Sequence, residues 1–414
     1  MKKSLFEPLR KSYLGVYFNS FNTVQAQNMP DHLKKIKLPS FLEPNSILTV
    51  DRCVSELRRG QMAVISDSKG ISAVVQAAEA ITDQSLLKMH EITKSKPKLA
   101  ITSRRAMALN LSKDVAPAII LRNTIDWKAQ NILDIINPLL ELNLRKKDYN
   151  FLNSKKSKKH SCETASIKLA KIARLLPATI FSRLTTSFTE DLGAWSMRHN
   201  LLTVDAGDIF QYEHTQAQNL KAVSEAQVPL LHAQDTRIIA FRPKDGGLEH
   251  LAILINEDSL EKDQPILARL HSECFTGDLL ASLKCDCGDQ LRGAINEISN
   301  SGGGVLLYLA QEGRGIGLVN KLRAYKLQDS GFDTIDANEQ LGFDADERIY
   351  LPAAEILHQL GFKSIRLMTN NPEKIKSLAS CGINIIERVK HAFPSNKHNE
   401  QYLKTKAKRI GHLI

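Results

Sequence analysis

Three of the six cysteines, Cys274, Cys285 and Cys287, fall within 14 residues in the pattern Cys-x10-Cys-x-Cys. No other feature restricts the local fold as much. Thiolates in such a group suit zinc, which is borderline soft and tetrahedral. A Cys-x-Cys pair cannot easily hold one ion from within a regular helix, so Cys285-Asp286-Cys287 is expected to form a loop. Three protein ligands would leave a fourth position to water, the open arrangement of catalytic zinc. His271 as a fourth ligand would close the site, and spacing alone does not choose between the two. Three unrelated buried thiols are the remaining alternative. His271, Glu273, Asp278, Lys284, Asp286 and Asp289 make the neighbourhood too polar for a plain core.

Cys53, Cys162 and Cys381 are scattered. That distribution fits a reduced cytoplasmic protein better than a disulfide framework. The 414 residues predict two or three domains. Hydrophobic residues at 43% and charged residues at 24% exclude a disordered chain, a collagen or a small disulfide scaffold. No apolar run is long enough for a membrane span, and the basic N-terminus is followed by no apolar signal core.

The net charge of +11 is unevenly spread. Residues 1–215 carry 32 Lys and Arg against 20 Asp and Glu, whereas residues 216–414 carry 24 against 25. The densest basic stretch is Arg145-Lys146-Lys147 followed by Lys155-Lys156-Ser157-Lys158-Lys159. It reads either as a phosphate or nucleic-acid patch or as a solvated loop. Only Tyr149 and Phe151 interleave with it, too few for a stacking platform, so the solvated loop is preferred and nucleic acid is not an expected partner.

Residues 1–45 read as an extension of uncertain order. From 46 to 215 apolar runs alternate with helical patterns. Met62–Ile65, Ala118–Leu121 and Leu201–Val204 are strand candidates, and Ala165–Leu176 is a helix that stops before Pro177. The polar stretch near 214–225 is read as a boundary, which gives a second domain over 216–414. There, Thr236–Phe241 and Leu251–Ile255 flank a turn at Asp245-Gly246-Gly247. Ile266–Leu270, Val305–Leu309 and Ile365–Met368 are further strands. Leu318, Leu322 and Tyr325 are placed on one helix face, and Ala353, Ile356, Leu357 and Leu360 on another helix capped by Gly361. Strands alternating with helices indicate an α/β domain.

Two strand ends look suited to anions. Glu312-Gly313-Arg314-Gly315-Ile316-Gly317 joins a strand to a helix; glycines let the backbone approach a ligand, and Arg314 can pair with phosphate. A tight turn with an exposed arginine is the plainer alternative. Thr369-Asn370-Asn371-Pro372-Glu373-Lys374 repeats the geometry. Asp346 and Arg348, two residues apart, could move a proton and stabilise charge, or could form an ordinary surface pair.

Arg269-Leu270-His271-Ser272-Glu273-Cys274-Phe275-Thr276-Gly277-Asp278 and Leu283-Lys284-Cys285-Asp286-Cys287-Gly288 closely resemble the zinc signature of GTP cyclohydrolase II. Gln311–Leu318, Lys321–Tyr325, Asp336–Asn338, Ala345–Arg348, Leu367–Pro372 and the tail Tyr402–Leu413 continue the resemblance in order over residues 225–414. The resemblance implies hydrolysis of GTP to 2,5-diamino-6-(5-phosphoribosylamino)pyrimidin-4(3H)-one, formate and pyrophosphate, the first step of riboflavin biosynthesis. By motif position Cys274, Cys285 and Cys287 would hold one zinc ion, whose hydroxide attacks C8. Arg269, Leu270, His271, Ser272, Glu273, Gln290, Glu312, Gly313, Arg314, Thr334, Thr369 and Lys374 would contact GTP. Asp346 would accept a proton, Arg348 would attack the α-phosphate, and Tyr325 would complete the active site. A guanidinium is essentially always protonated, so electrostatic stabilisation is the physically easier role for Arg348. The resemblance further implies magnesium on the triphosphate and a homodimer.

Residues 46–215 are similar to a diverged, α+β dihydroxybutanone phosphate synthase. The likeness rests on Leu57–Ile65, Ala77–Thr82 and Ser166–Ala170. That family's acidic, magnesium-binding run is replaced by Ser66-Asp67-Ser68-Lys69-Gly70-Ile71-Ser72, and its Gly-His-Thr-Glu motif by the neighbourhood of Ser161-Cys162-Glu163-Thr164. Loss of the synthase activity is therefore expected, with the domain retained for assembly or stability.

Overall fold

Buried apolar runs of four to eight residues pair into two seven-stranded sheets in the computed structural model, which describes residues 44–391 except 114, 124–125, 142–151, 186–189 and 262. The first 43 residues, Arg145-Lys146-Lys147 and the tail motif Tyr402–Leu413 lie outside the described residues.

The first sheet contains β1 (Ala63–Ser66), β2 (Ser72–Ala77), β3 (Lys98–Ile101), β4 (Ile119–Asn123), β5 (Leu152–Lys156), β6 (Ala178–Arg183) and β7 (Leu202–Asp205). Their order is β5-β4-β3-β6-β2-β1-β7, antiparallel except for β1 beside β7. The mixture of largely antiparallel strands with packed helices is α+β, as expected. The helices Pro44–Arg58, Cys162–Ile172 and Ala206–Gln218 bury one face of this sheet through Val50, Leu57, Leu169 and Ile209. The helix predicted over 165–176 starts earlier, at Cys162, because the Ser161 hydroxyl caps it.

The second sheet contains β8 (Leu220–Gln227), β9 (Thr236–Pro243), β10 (His250–Ile255), β11 (Ile266–Ser272), β12 (Gly304–Leu309), β13 (Ser364–Met368) and β14 (Asn384–Val389). The order is β14-β13-β11-β12-β10-β9-β8. β11, β12, β13 and β14 run parallel, and β8, β9 and β10 continue as an antiparallel meander. Helices Leu351–Gln359 and Pro372–Ser380 cover one face of the sheet and Cys287–Asn300 the other. This is the expected α/β arrangement. Ligands in such sheets bind beyond the carboxyl ends of the parallel strands. Cys274 follows β11, Gln311 follows β12 and Thr369 follows β13, so the sequence motifs converge at that edge.

Helix Ala206–Gln218 runs directly into β8 across the polar stretch near 214–225. Two expectations are corrected. Lys155 and Lys156 lie on the edge strand β5 rather than in a loop. In helix Leu318–Asp329 the buried stripe is Asn320, Lys321, Ala324 and Leu327, whereas Leu322 is exposed.

One hydrophobic cluster crosses between the two sheets. Val64, Leu99, Ile101 and Ile135 share it with Ile316, Ala324, Leu327, Leu341 and Phe343.

Candidate active site

Beyond the parallel strand ends a cleft is lined by every residue singled out from the sequence except Leu270. The Leu270 side chain is buried in the core of the second sheet, and only its carbonyl serves the site, accepting a hydrogen bond from Lys374 Nζ at 2.9 Å.

The three cysteines meet at one end. All are free thiols, their sulfur atoms lie within 4.8 Å of one another, and Cys274 Sγ is 3.7 Å from Cys285 Sγ. Zinc–sulfur bonds of about 2.3 Å in a tetrahedron give a sulfur–sulfur edge of roughly 3.8 Å, so the spacing fits the ion. Cys285 precedes helix Cys287–Asn300, Asp286 occupies its N-cap position and Cys287 begins it, which brings two sulfurs round a single turn. Gly277 leaves room for them: a Cβ there would stand 2.8 Å from Cys285 Sγ and 3.0 Å from Cys274 Sγ. Among the described residues no histidine or carboxylate joins the group. His271 does not close the site; its Nε2 is 3.0 Å from Asp278, which also accepts from Tyr308 OH and the Cys274 amide. Among the described residues no side chain stands as a fourth ligand beside the three sulfurs. Hydrogen bonds from Cys285 and Cys287, and then from Lys321, hold the Cys274 thiol well below its usual range; the same bonds push Cys285 and Cys287 up.

Lys321 was not singled out from the sequence. Its ammonium donates to Cys274 Sγ at 3.0 Å, Glu312 Oε1 at 2.8 Å and Thr276 Oγ1 at 2.9 Å. Glu312 also accepts from the Phe275 and Gly313 amides, so it ties the metal loop to the Glu312–Gly317 turn. Gly313 and Arg314 both adopt left-handed backbone there. Tyr325, one turn along the helix from Lys321, faces Lys284 at 5.2 Å, and burial pushes its hydroxyl pKa up.

In the cleft's middle, Arg269 donates to Met368 O at 2.8 Å and to Gln290 Oε1 at 2.5 Å. Gln290 in turn donates to Asp286. Burial lowers the Arg269 guanidinium to about 10, which leaves it charged at neutral pH. Arg269 Nε, His271 Nδ1 and Ser272 Oγ are buried without a protein partner. Buried polar atoms are rarely left so, and here they suit a polar ligand. Burial, followed by the Glu312 charge, pushes the Glu273 carboxyl up.

At the far end Arg348 forms a fork on Asp346, with Nε 2.8 Å from Oδ1. Burial raises the Asp346 pKa, but the Arg348 bonds and charge outweigh it and hold the carboxyl below its usual range. Arg314 donates to Ala345 O at 3.2 Å. Thr334 opens helix Thr334–Gln340 and accepts from Gln328 at 3.1 Å; Thr369 Oγ1 accepts from the Asn371 amide at 3.0 Å.

The GTP cyclohydrolase II family profile matches residues 221–390. A GTP cyclohydrolase-2 of Azospirillum brasilense is 49% identical over 373 residues, covering 90% of this chain and 96% of that protein. A GTP cyclohydrolase-2 of Actinobacillus succinogenes is 52% identical over 195 residues, 47% of this chain and 88% of that protein. Among solved structures, a two-domain 3,4-dihydroxy-2-butanone 4-phosphate synthase from A. baumannii is similar at 16% identity over 82% of this chain and 99% of its own, with a TM-score of 0.34. Near-complete coverage of a relative at half identity, on top of a thiol triangle opening into a cationic cleft, establishes that the chain belongs to the GTP cyclohydrolase II family.

Proposed function

We propose that the chain is a zinc-dependent GTP cyclohydrolase II. It would open the imidazole ring of GTP, release C8 as formate and pyrophosphate from the triphosphate, and so perform the entry step of riboflavin biosynthesis. The observation that carries this reading is the thiol triangle, with no fourth side-chain ligand among the described residues, set in one cleft with Arg269, Arg314, Arg348 and Lys374. Cys274, Cys285 and Cys287 would hold the zinc ion, which would lower the pKa of water to about 7 and so supply a nucleophile at neutral pH.

The protein's own groups divide the remaining work. The Arg269–Gln290–Asp286 chain presents donors and acceptors of the kind a guanine edge requires. Arg314, Lys374 and Thr369 would hold phosphates, and Glu273 and Ser272 lie beside the metal end of the cleft. Paired with Arg348, Asp346 is a weak base. A phosphate that draws the Arg348 side chain away removes the strongest groups that lower the Asp346 pKa, which raises its basicity just when it must accept a proton. Arg348 then stabilises charge on the departing pyrophosphate. Tyr325 stays protonated and can donate.

Magnesium would arrive on the triphosphate, because among the described residues the cysteine triangle is the single group suited to a metal ion. A homodimer is supported by exposed Phe275, Leu279, Leu280 and Leu283 on the loop beside Val319 and Leu322 of helix Leu318–Asp329. A Lys321–Thr276 bond links the two segments. The free thiols suit the reducing cytoplasm, and among the described residues no helix is long and apolar enough to cross a membrane.

Synthase activity in the first half is not favoured. Asp67, the remnant of the acidic run, spends its carboxylate on the Lys69 and Ile71 amides at 2.9 and 3.0 Å, which makes it a turn-former. Glu163 pairs with Arg183. Incubation with GTP and magnesium, with and without a zinc chelator, tests the main reading by formate and pyrimidine release. Product formation from ribulose 5-phosphate would overturn the second point.

A further inference from the structure

The catalytic-loop residues Asp346 and Arg348 stand on Asp344–Arg348, a segment with no regular secondary structure. Such a segment must be held from outside if two charged side chains are to keep one geometry. Part of the support is local. The Glu347 amide donates to Arg314 O at 3.0 Å, Arg314 returns a bond to Ala345 O, and the Ile349 amide donates to Gln311 Oε1 at 3.1 Å. A Cβ on Gly315 would stand 2.8 Å from Glu347 O, so this loop and the Glu312–Gly317 turn touch and move together.

The rest of the support comes from the first half of the chain. Lys171, in the last turn of helix Cys162–Ile172, donates to Glu347 Oε1 at 2.6 Å and to Asp344 Oδ2 at 3.3 Å. Glu347 Oε1 also accepts from the Asp344 amide at 2.8 Å, which closes the loop on itself around the ammonium. Lys171 and Glu347 side chains are only 18% and 19% exposed, so the pair is shielded from the water that makes surface pairs weak. Arg104 adds bonds to Asp344 Oδ1 at 3.1 Å and Glu339 Oε1 at 3.0 Å. Below the turn, Arg174 Nη2 donates to Ala310 O at 2.7 Å and its carbonyl accepts from Asn320 at 2.9 Å. A Cβ on Gly317 would meet the Arg174 side chain at 3.1 Å, so the turn is built around it. None of Arg104, Lys171 and Arg174 lines the cleft.

We propose that Lys171, with Arg104 and Arg174, positions the Asp346–Arg348 loop, so that the first half of the chain is a working part of the second half's active site. Two basic residues of the first half, Arg104 and Lys171, thereby find partners within the molecule in Glu339, Asp344 and Glu347.

The inference rests on the cyclohydrolase reading, and steady-state kinetics of the full-length protein with GTP separates the two. In Lys171→Met, kcat is expected to fall about tenfold with KM within about twofold, the signature of a displaced catalytic group rather than lost binding. Lys171→Arg should restore most of kcat. Glu347→Gln should reproduce the defect from the other side, and the double variant Lys171→Met/Glu347→Gln should be no worse than either single one. Zinc content should stay at the wild-type value, and the loss of kcat should be far larger than any drop in melting temperature explains at the assay temperature. If Lys171→Met does not fold, Glu347→Gln carries the measurement. Wild-type kcat in both single variants, or a loss that follows melting temperature and zinc content, would overturn the inference while leaving the cyclohydrolase reading intact. A wild-type protein that releases no formate would overturn both.

Discussion

A single methyl group on Gly277 would collide with two of the three clustered cysteine sulfurs, because no side-chain space remains inside the loop that carries them. Gly277→Ala should therefore lose metal before it loses the fold. We expect zinc per chain, measured by elemental analysis, to drop well below one and formate release to fall at least about a hundredfold, with the far-ultraviolet circular dichroism spectrum retained. At this scale the sequence was most informative about residues whose chemistry is rare. Three thiols in 14 residues have few structural uses, and the glycine and arginine turn after β12 stands out as a strand end suited to an anion. Lys321 escaped notice for a physical reason. It lies on the buried stripe of its helix with Ala324 and Leu327, a position where apolar residues are expected. Its partners, Cys274, Thr276 and Glu312, come from two distant loops that no local pattern connects to it. Leu322 and Leu318 offered the more ordinary stripe, but Leu322 faces outward.

Eight strands were legible as apolar runs: β1, β4, β7, β9, β10, β11, β12 and β13. Those missed were β2, β3 and β6 in the middle of the first sheet and the edge strands β5, β8 and β14. β5 reads Leu-Asn-Ser-Lys-Lys, and β8 exposes every residue after Leu220. An edge strand has little burial to record in its sequence, and lysines there discourage pairing with another chain. The helix Ala206–Gln218 was hidden in the same way, burying only Ala206, Ile209, Tyr212 and Ala217. The tightest joint between elements is at the start of β12, where a Cβ on Gly304 would lie 2.2 Å from the Leu267 carbonyl of β11. That oxygen belongs to a paired backbone and cannot yield. Gly304→Ala should cost about 2–4 kcal/mol in urea unfolding, with the midpoint lowered and the slope unchanged.

Across the whole molecule, among the described residues, burial lowers the pKa of His250, His271 and His391, and for the first and last the shift is large. Burial, then the Arg174 charge, lowers His250 to about 4, and its Nδ1 accepts from the Ala310 amide at 3.0 Å. Burial, then Arg269, lowers His391 to about 4, and it bonds Gln290 O at 2.9 Å. Unfolded, each binds its proton near 6.5. Between these values the unfolded chain takes up more protons than the folded one, so stability should be full above pH 6.5 and decline as pH falls to about 4. Thermal melts across that window should show it, and replacing His391 with Gln should flatten the decline. Neither residue's environment could be read from the sequence, since both depend on strands and loops brought together from 60 and 101 positions away. The same holds for the apolar seam in which Ile316, Leu327, Leu341 and Phe343 meet Val64, Leu99 and Ile101. Cutting this polypeptide near residue 219 would expose greasy surface on both fragments. Mutation can erode whatever chemistry the leading portion has, but removing residues 44–219 would strip this seam of its first-half partners.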